Sequence, residues 1–138
     1  MRVHLIAVGR RPPGWVTQGF DEFARRLPPE CALLLREVAT PRRHKGADVG
    51  RLVEREAAEL TAALPRGAYT VALDERGEPW TTAQLARKLS NWLQSGRDVA
   101  MFIGGPDGLS PALREAAQAR WSLSPLTLPH TLCRILVA

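Results

Sequence analysis

Short apolar runs alternate with amphipathic segments along the whole chain. The apolar runs predict four strands at Val3–Val8, Cys31–Val38, Tyr69–Leu73 and Val99–Ile103, and a short fifth strand within Trp121–Leu128. Between them, apolar residues recur every three or four positions, as they do on one face of a helix. This alternation predicts an α/β fold with a mostly parallel five-stranded sheet and flanking helices.

The predicted helices begin at residues that cap or start helices well. In chain order these starts are Pro12–Pro13, Asp48, Thr81 or Thr82, Ser110–Pro111, and Pro129. The third helix is expected to turn Leu85, Leu89, Trp92 and Leu93 inward and to end at Gly96, and the fourth to reach about Ala119.

Length and composition fit a single globular domain over residues 1–138, with 45% apolar residues. No apolar stretch reaches the roughly 18 residues of a membrane span. The apolar run at the N-terminus is too short for a signal peptide, so we expect a cytoplasmic protein. Cys31 and Cys133 lie in apolar runs and are interpreted as small buried residues. Because no His-x-x-x-His or Cys-x-x-Cys pair is present, no metal is assigned.

Positive charge is concentrated in the first part of the chain. The net charge is +5, and residues 1–55 contain 11 Lys and Arg against 6 Asp and Glu, whereas the remainder contains 8 of each. Arg10, Arg11, Arg42, Arg43 and Lys45 are therefore candidates for contacts with RNA phosphates. A solvated basic face, in a chain that favours arginine through its codon usage, explains the same pattern and stays open.

Ligands of parallel sheets usually lie beyond the carboxyl ends of the strands. Three connections qualify: the one after Leu73, the glycine loop Gly104–Gly108, and residues 122–129. The glycine loop lacks the spacing of a dinucleotide or triphosphate motif, so it is either a tight turn or a loop that lets a ligand approach the backbone. Residues 122–129 either bracket a flat ring such as adenine or form an ordinary connector.

Few side chains near these loops carry chemistry. His4 is interpreted as structural and His44 as solvated. His130 is either a hydrogen-bonding residue at a helix start or a catalytic group. Asp74 and Glu78 are the only acidic residues expected near the glycine loop, and surface charge is the favoured interpretation of both.

Seven stretches give the chain a family resemblance from its first residue to its last. They are Leu5–Gly9, Trp15 with Gly19–Phe20, Gly46–Asp48, Leu73–Asp74 with Gly77 and Pro79–Trp80, Gly96–Val99, Ile103–Ser110, and Trp121–Ser124 with Leu126–His130. With these motifs the sequence resembles the RlmH-type methyltransferases of the large ribosomal subunit, which belong to the SPOUT (α/β-knot) superfamily.

The resemblance implies an S-adenosylmethionine-dependent enzyme that methylates N3 of a pseudouridine in helix 69 of 23S ribosomal RNA. Such enzymes act as homodimers on assembled ribosomes, and a C-terminal trefoil knot forms their cofactor pocket. The implied cofactor-binding residues are Leu73, Gly104, Gly105, Leu123, Ser124, Pro125, Leu126, Thr127 and Leu128. Among nearby side chains, His130 has the ordinary pKa best suited to accept the N3 proton.

The sequence departs from the family after Ala138, where members usually continue with a Leu-Tyr-Arg and a later His-Pro-Tyr-His. The helix that opens at Pro129 stops after nine residues without a capping glycine. We therefore expect this chain to be less active and less stably dimeric than a full-length member, and the knot is expected from the family rather than from this chain. The alternative function is a non-catalytic body that binds S-adenosylmethionine or RNA.

Overall fold

The computed structural model describes residues 1–41, 46 and 48–138. Within them a parallel sheet of five strands forms in the order β2-β1-β4-β3-β5, which confirms the predicted sheet. The strands are β1 Arg2–Val8, β2 Ala32–Val38, β3 Tyr69–Pro79, β4 Val99–Ile103 and β5 Ala119–Ser122.

Five helices connect and follow the strands in the described part of the chain. They are α1 Gly14–Ala24, α2 Val49–Ala62, α3 Thr82–Ser95, α4 Pro111–Ala116 and α5 His130–Val137. The side chains of Asp48, Thr81 and Ser110 each accept a hydrogen bond from a backbone N–H in the first turn of their helix. The predicted caps are therefore confirmed, with Thr81 rather than Thr82 as the cap of α3.

The core lies on both faces of the sheet. Leu5 and Ala7 of β1 pack into one apolar cluster, and Ile6 and Val8 pack into a second cluster on the other face. All five residues of β4 are buried. Strands covered on both faces need apolar residues at every position, which explains their continuous apolar runs in the sequence.

Strand β3 extends to Pro79, so the predicted strand boundary at Leu73, with a connecting loop directly after it, is wrong. Trp121 of β5 pairs first with Leu73 and then with Glu78, and the residues between them form a bulge. A Cβ atom on Gly77 would lie 2.8 Å from the carbonyl carbon of Arg120. Glycine therefore permits the close approach of the two strands after the bulge.

Helix α4 ends earlier than predicted, and strand β5 begins earlier. The helix ends at Ala116 instead of near Ala119, where β5 already begins. The guanidinium of Arg120 donates hydrogen bonds to the carbonyl oxygens of Arg114 and Ala117. These bonds satisfy carbonyls at the end of the helix and help to stop it there.

Three smaller predictions have different outcomes. Leu93 is 41% exposed, so it does not belong to the inner face of α3, whereas Trp92 is buried. Cys31 is buried as predicted, while Cys133 is only partly buried. The His4 imidazole lies 2.9 Å from the Asp98 carboxylate, between β1 and the start of β4, which confirms its structural role.

Candidate functional site

A cavity of about 570 Å³ opens at the carboxyl ends of β3, β4 and β5. Its walls come from the bulge after Leu73, the glycine loop, the segment after β5, and the first turn of α5. Most of the predicted cofactor-binding residues line it: Leu73, Gly104, Gly105, Leu123, Ser124, Leu126, Thr127 and Leu128, whereas Pro125 does not. The fold thus brings together the three segments that were selected because they follow the carboxyl ends of strands.

The glycine loop is shaped by contacts within the protein. A Cβ atom on Gly104 would lie 2.5 Å from the carbonyl carbon of Gly108, and one on Gly105 would lie 2.7 Å from Oε2 of Glu56. The N–H of Gly108 also donates a 3.0 Å hydrogen bond to the carbonyl oxygen of Gly105. Glycine is therefore needed at 104 and 105 for the loop to close tightly beside α2.

Two serines fold the segment that follows β5. The Ser122 hydroxyl donates a 2.9 Å hydrogen bond to the Ser124 carbonyl, and the Ser124 hydroxyl accepts one of 3.0 Å from the Leu126 amide. Leu123 and Leu128 line the cavity between these polar turns. The segment therefore combines apolar walls with main-chain groups, an arrangement that suits a flat heterocycle.

Asp74 is an internal residue of the site, so its interpretation as surface charge is wrong. Its side chain is 9% exposed, lies 3.2 Å from the Arg114 guanidinium, and accepts a 2.9 Å hydrogen bond from the Arg76 amide. Burial raises the pKa of Asp74, but hydrogen bonds from Arg76 and the charges of both arginines outweigh burial and hold the pKa below its ordinary value. Glu78 is exposed and does not line the cavity.

The charged lining of the cavity is mainly acidic. Asp74, Glu75 and Asp107 contribute carboxylates, whereas Arg76 contributes a positive charge. Asp74 is itself paired with Arg76 and Arg114, and Arg76 is the one Lys or Arg of the described residues in the lining, so the cavity lacks the cluster of cations that a polyphosphate requires. Within the described ranges, no group of three or more His, Cys, Asp or Glu side chains is arranged to hold a metal ion.

His130 is the first residue of α5 and forms part of the cavity wall. Its Nδ1 is buried and has no hydrogen-bond partner among the described residues. Burial, together with the positive charge of Arg134, lowers the pKa of His130, so the imidazole is neutral at pH 7. The neutral form of an imidazole is the one that can accept a proton. Burial raises the pKa of Cys133, one turn later, which keeps that thiol protonated.

The predicted RNA-contacting residues fall into two groups. Arg10 and Arg11 are exposed and follow Gly9 at the end of β1, where a Cβ atom on Gly9 would lie 3.6 Å from Cε1 of His130. Their basic turn therefore borders the cavity wall. Arg42, Arg43 and Lys45, like His44, lie outside the described residues.

Comparison with known protein families covers the whole chain. Residues 1–138 match the family model described as a predicted SPOUT methyltransferase. The chain belongs to the SPOUT methyltransferases.

Two relatives of this SPOUT methyltransferase are named ribosomal RNA large subunit methyltransferase H. One is from Thioalkalivibrio sulfidiphilus and is 50% identical over 138 residues, which are 100% of this chain and 88% of the relative. The other is from Methylococcus capsulatus and is 48% identical over all of this chain and 89% of that relative. The family resemblance found in the motifs is therefore confirmed, and the protein is an enzyme.

Two buried charged residues of the SPOUT methyltransferase had no role assigned to them from the sequence. Glu56 is the one polar residue on the buried face of α2 and lies under the glycine loop. Arg134 follows His130 by one helical turn and is also buried. A polar residue on an otherwise apolar helix face is the signal that marks Glu56. In the part of the chain with assigned structure, no helix is both long and apolar enough to cross a membrane.

Proposed function

We propose that this SPOUT methyltransferase uses S-adenosylmethionine to methylate N3 of a pseudouridine in helix 69 of 23S ribosomal RNA, on the assembled ribosome. The names of both relatives support a ribosomal RNA substrate. The observation that carries the proposal is the cavity formed where the bulge after Leu73, the glycine loop and the segment after β5 meet. A ribosomal substrate also makes the cytoplasm the proposed compartment.

The residues present fit the proposed methyl donor. A cavity of about 570 Å³ is within the usual range for small-molecule sites, about 300–1,000 Å³. Leu123 and Leu128 offer apolar surfaces for adenine, and the main chain of the glycine loop borders the same space. A lining without a cluster of cations among the described residues is compatible with a sulfonium centre, which supplies the electrophilic methyl group when the donor is bound.

The protein's own contribution is to align the base and to accept a proton. Alignment replaces a bimolecular encounter by a reaction between held groups, which is a large part of the catalysis available to a transferase. Methyl transfer to N3 releases the N3 proton. We assign this proton to the imidazole of His130, because the residue lines the cavity and its lowered pKa favours the neutral form, which can accept a proton.

Recognition of RNA is assigned to the basic part of the chain. Arg10 and Arg11 are exposed in the turn after Gly9, which borders the cavity wall, and Arg42, Arg43 and Lys45 belong to the same charge surplus. Arginine contacts phosphates through two parallel donors. Binding through several such contacts weakens steeply as salt increases.

A second copy of the chain is the proposed partner of α1 and α5. The two helices pack against each other at Gly19, where a Cβ atom would lie 2.9 Å from Ile135. Trp15 and Leu136 remain exposed nearby on these helices, with Leu136 at 59%. Large exposed apolar residues on adjoining helices are typical of a subunit interface.

The test uses ribosomes isolated from a strain that lacks this modification. The protein and labelled S-adenosylmethionine should transfer label to helix 69, and mass spectrometry of the isolated fragment should place one methyl group on the pseudouridine base. Heat-denatured protein is the control. Donor binding without methyl transfer would support the alternative of a non-catalytic binding body, and label at another nucleotide would refute the proposed target.

A further inference from the structure

The guanidinium of Arg134 joins α5 to the ends of two distant strands. Its Nη2 donates hydrogen bonds of 2.8 Å to the carbonyl oxygen of Gly9 and 3.3 Å to that of Val8. Its Nη1 donates to Oε2 of Glu37, near the end of β2. The side chain is 1% exposed, and it is the bulkiest of the fully buried side chains in the described residues.

Packing alone does not account for an arginine at this place. A buried cation is costly unless it is paired and hydrogen-bonded, and an apolar residue of similar size would fill the space with less loss of hydration. The planar fork of arginine, however, can hold a carboxylate and carbonyl oxygens at the same time, which lysine does not reproduce. The contacts therefore indicate that Arg134 holds a particular arrangement of the neighbouring backbone in place.

The arrangement that Arg134 holds is the turn Gly9–Arg11. Gly9 has φ of +112°, and its N–H donates a 2.8 Å hydrogen bond to the carbonyl of Val38. Arg11 has φ of +54° and is the sole non-glycine residue with positive φ in the described part of the chain. Such a conformation persists where its surroundings hold it in place.

The same guanidinium lies against the cavity wall. Arg134 follows His130 by four residues, so the two side chains share one face of α5. A Cβ atom on Gly9 would lie 3.5 Å from Nη2 of Arg134 and 3.6 Å from Cε1 of His130. The turn, the histidine and the buried arginine thus form one contiguous contact.

We propose that Arg134 is a positioning residue that fixes the turn Gly9–Arg11 against the first turn of α5. In this position Arg10 and Arg11 can bind RNA phosphates while the target base lies at the cavity. This inference rests on the proposed function. It assigns the alignment of RNA and methyl donor to a side chain that touches neither.

A double-mutant cycle between Arg134 and Arg10 tests the inference. Dissociation constants for unmodified ribosomes are measured by filter binding for the wild type, Arg10→Ala, Arg134→Lys and the double variant. In the wild-type background, Arg10→Ala should clearly increase the dissociation constant. In the Arg134→Lys background, the same substitution should increase it by a factor that is at least about threefold smaller, because the turn is no longer held. Arg134→Lys keeps the buried charge and removes the fork.

The matched control is Arg66→Ala. Arg66 is exposed and precedes β3, so it lies at the amino ends of the strands, whereas the cavity lies at their carboxyl ends. Its effect on ribosome binding, whatever its size, should be the same with and without Arg134→Lys. If Arg134→Lys does not fold, Glu37→Gln takes its place in the cycle, because it removes the carboxylate that orients the guanidinium.

Titration of His130 by NMR checks separately that the guanidinium of Arg134 lies beside the histidine. Glu37→Gln removes a negative charge beside Arg134 and should lower the pKa of His130 further, whereas Arg134→Met should raise it. An additive cycle would overturn the inference while leaving the proposed function intact. If the wild type bound neither ribosomes nor S-adenosylmethionine, the proposed function itself would fail.

Discussion

Substitution of Gly104 by alanine should disrupt the glycine loop more than any other single added methyl group in it. The new Cβ would lie 2.5 Å from the carbonyl carbon of Gly108 and 2.8 Å from the amide nitrogen of Leu109. Both neighbours are backbone atoms, so the loop has to shift as a whole. At Gly105 the nearest atoms belong to the side chains of Glu56 and Val8, at 2.7 and 3.2 Å, and side chains yield more easily.

The magnitude follows from the cost of overpacking, about 1–3 kcal/mol for a tightly packed site. For a chain of this size, 1 kcal/mol corresponds to about 3–5 °C in the melting temperature. We therefore expect Gly104→Ala to lower the melting temperature by about 5–10 °C and Gly105→Ala by less. Because the loop is a wall of the cavity, Gly104→Ala should also weaken S-adenosylmethionine binding at least about tenfold.

The matched control is Gly14→Ala at the start of α1, where a Cβ atom would meet nothing within 4 Å. Alanine there should leave stability unchanged or raise it by about 0.4–1 kcal/mol, since the unfolded chain loses freedom. Calorimetry measures both the melting temperature and donor affinity. Equal melting temperatures and equal affinities for Gly104→Ala and Gly14→Ala would refute the steric reasoning.

Three further expectations follow from the site and its surroundings. The pKa of His130 is lowered from an unfolded value of about 6.5, so the unfolded chain binds more protons than the folded chain as the pH falls. The contribution of His130 to stability should therefore be full above about pH 6.5 and decline below it. In urea unfolding, His130→Gln should abolish this decline in the midpoint. Because the pKa of Asp74 is also lowered, its stabilisation should be present above about pH 4 and be lost as the pH falls towards 2, so the advantage of wild type over Asp74→Asn should shrink over that interval. Leu136→Glu should convert the proposed dimer to monomers in sedimentation, and an equal effect of Leu93→Glu, an exposed leucine on α3, would point to general destabilisation.

The sequence was informative wherever a local rule decides the structure. Strand β4 is buried at every position, and its five consecutive apolar residues show this directly. The side chains of Asp48 and Ser110 cap helices because a short acceptor suits that position. The cavity was predictable because parallel strands bring their carboxyl ends to one edge, where the connecting loops meet.

Features that depend on distant partners were not predictable. The polar residues after Leu73 look like a loop, and only pairing with Trp121 makes them a bulged strand. Arg134 looks like a surface residue in the last turn of a helix, because its partners at Glu37 and Gly9 are 97 and 125 residues away. Asp74 acquires its buried role from Arg114, 40 residues further along the chain. None of these pairings has a local signature.

The crossing of α5 has a consequence for folding. This helix follows β5 at one edge of the sheet, yet its arginine bonds to the ends of β1 and β2 at the other. An eight-residue helix is marginal by itself, so α5 depends on its contacts with these distant strands for its stability. The wall of the cavity at His130 is therefore complete only while α5 is docked. A molecule in the cavity binds only the docked helix, and amide hydrogen exchange in α5 should slow as occupancy rises.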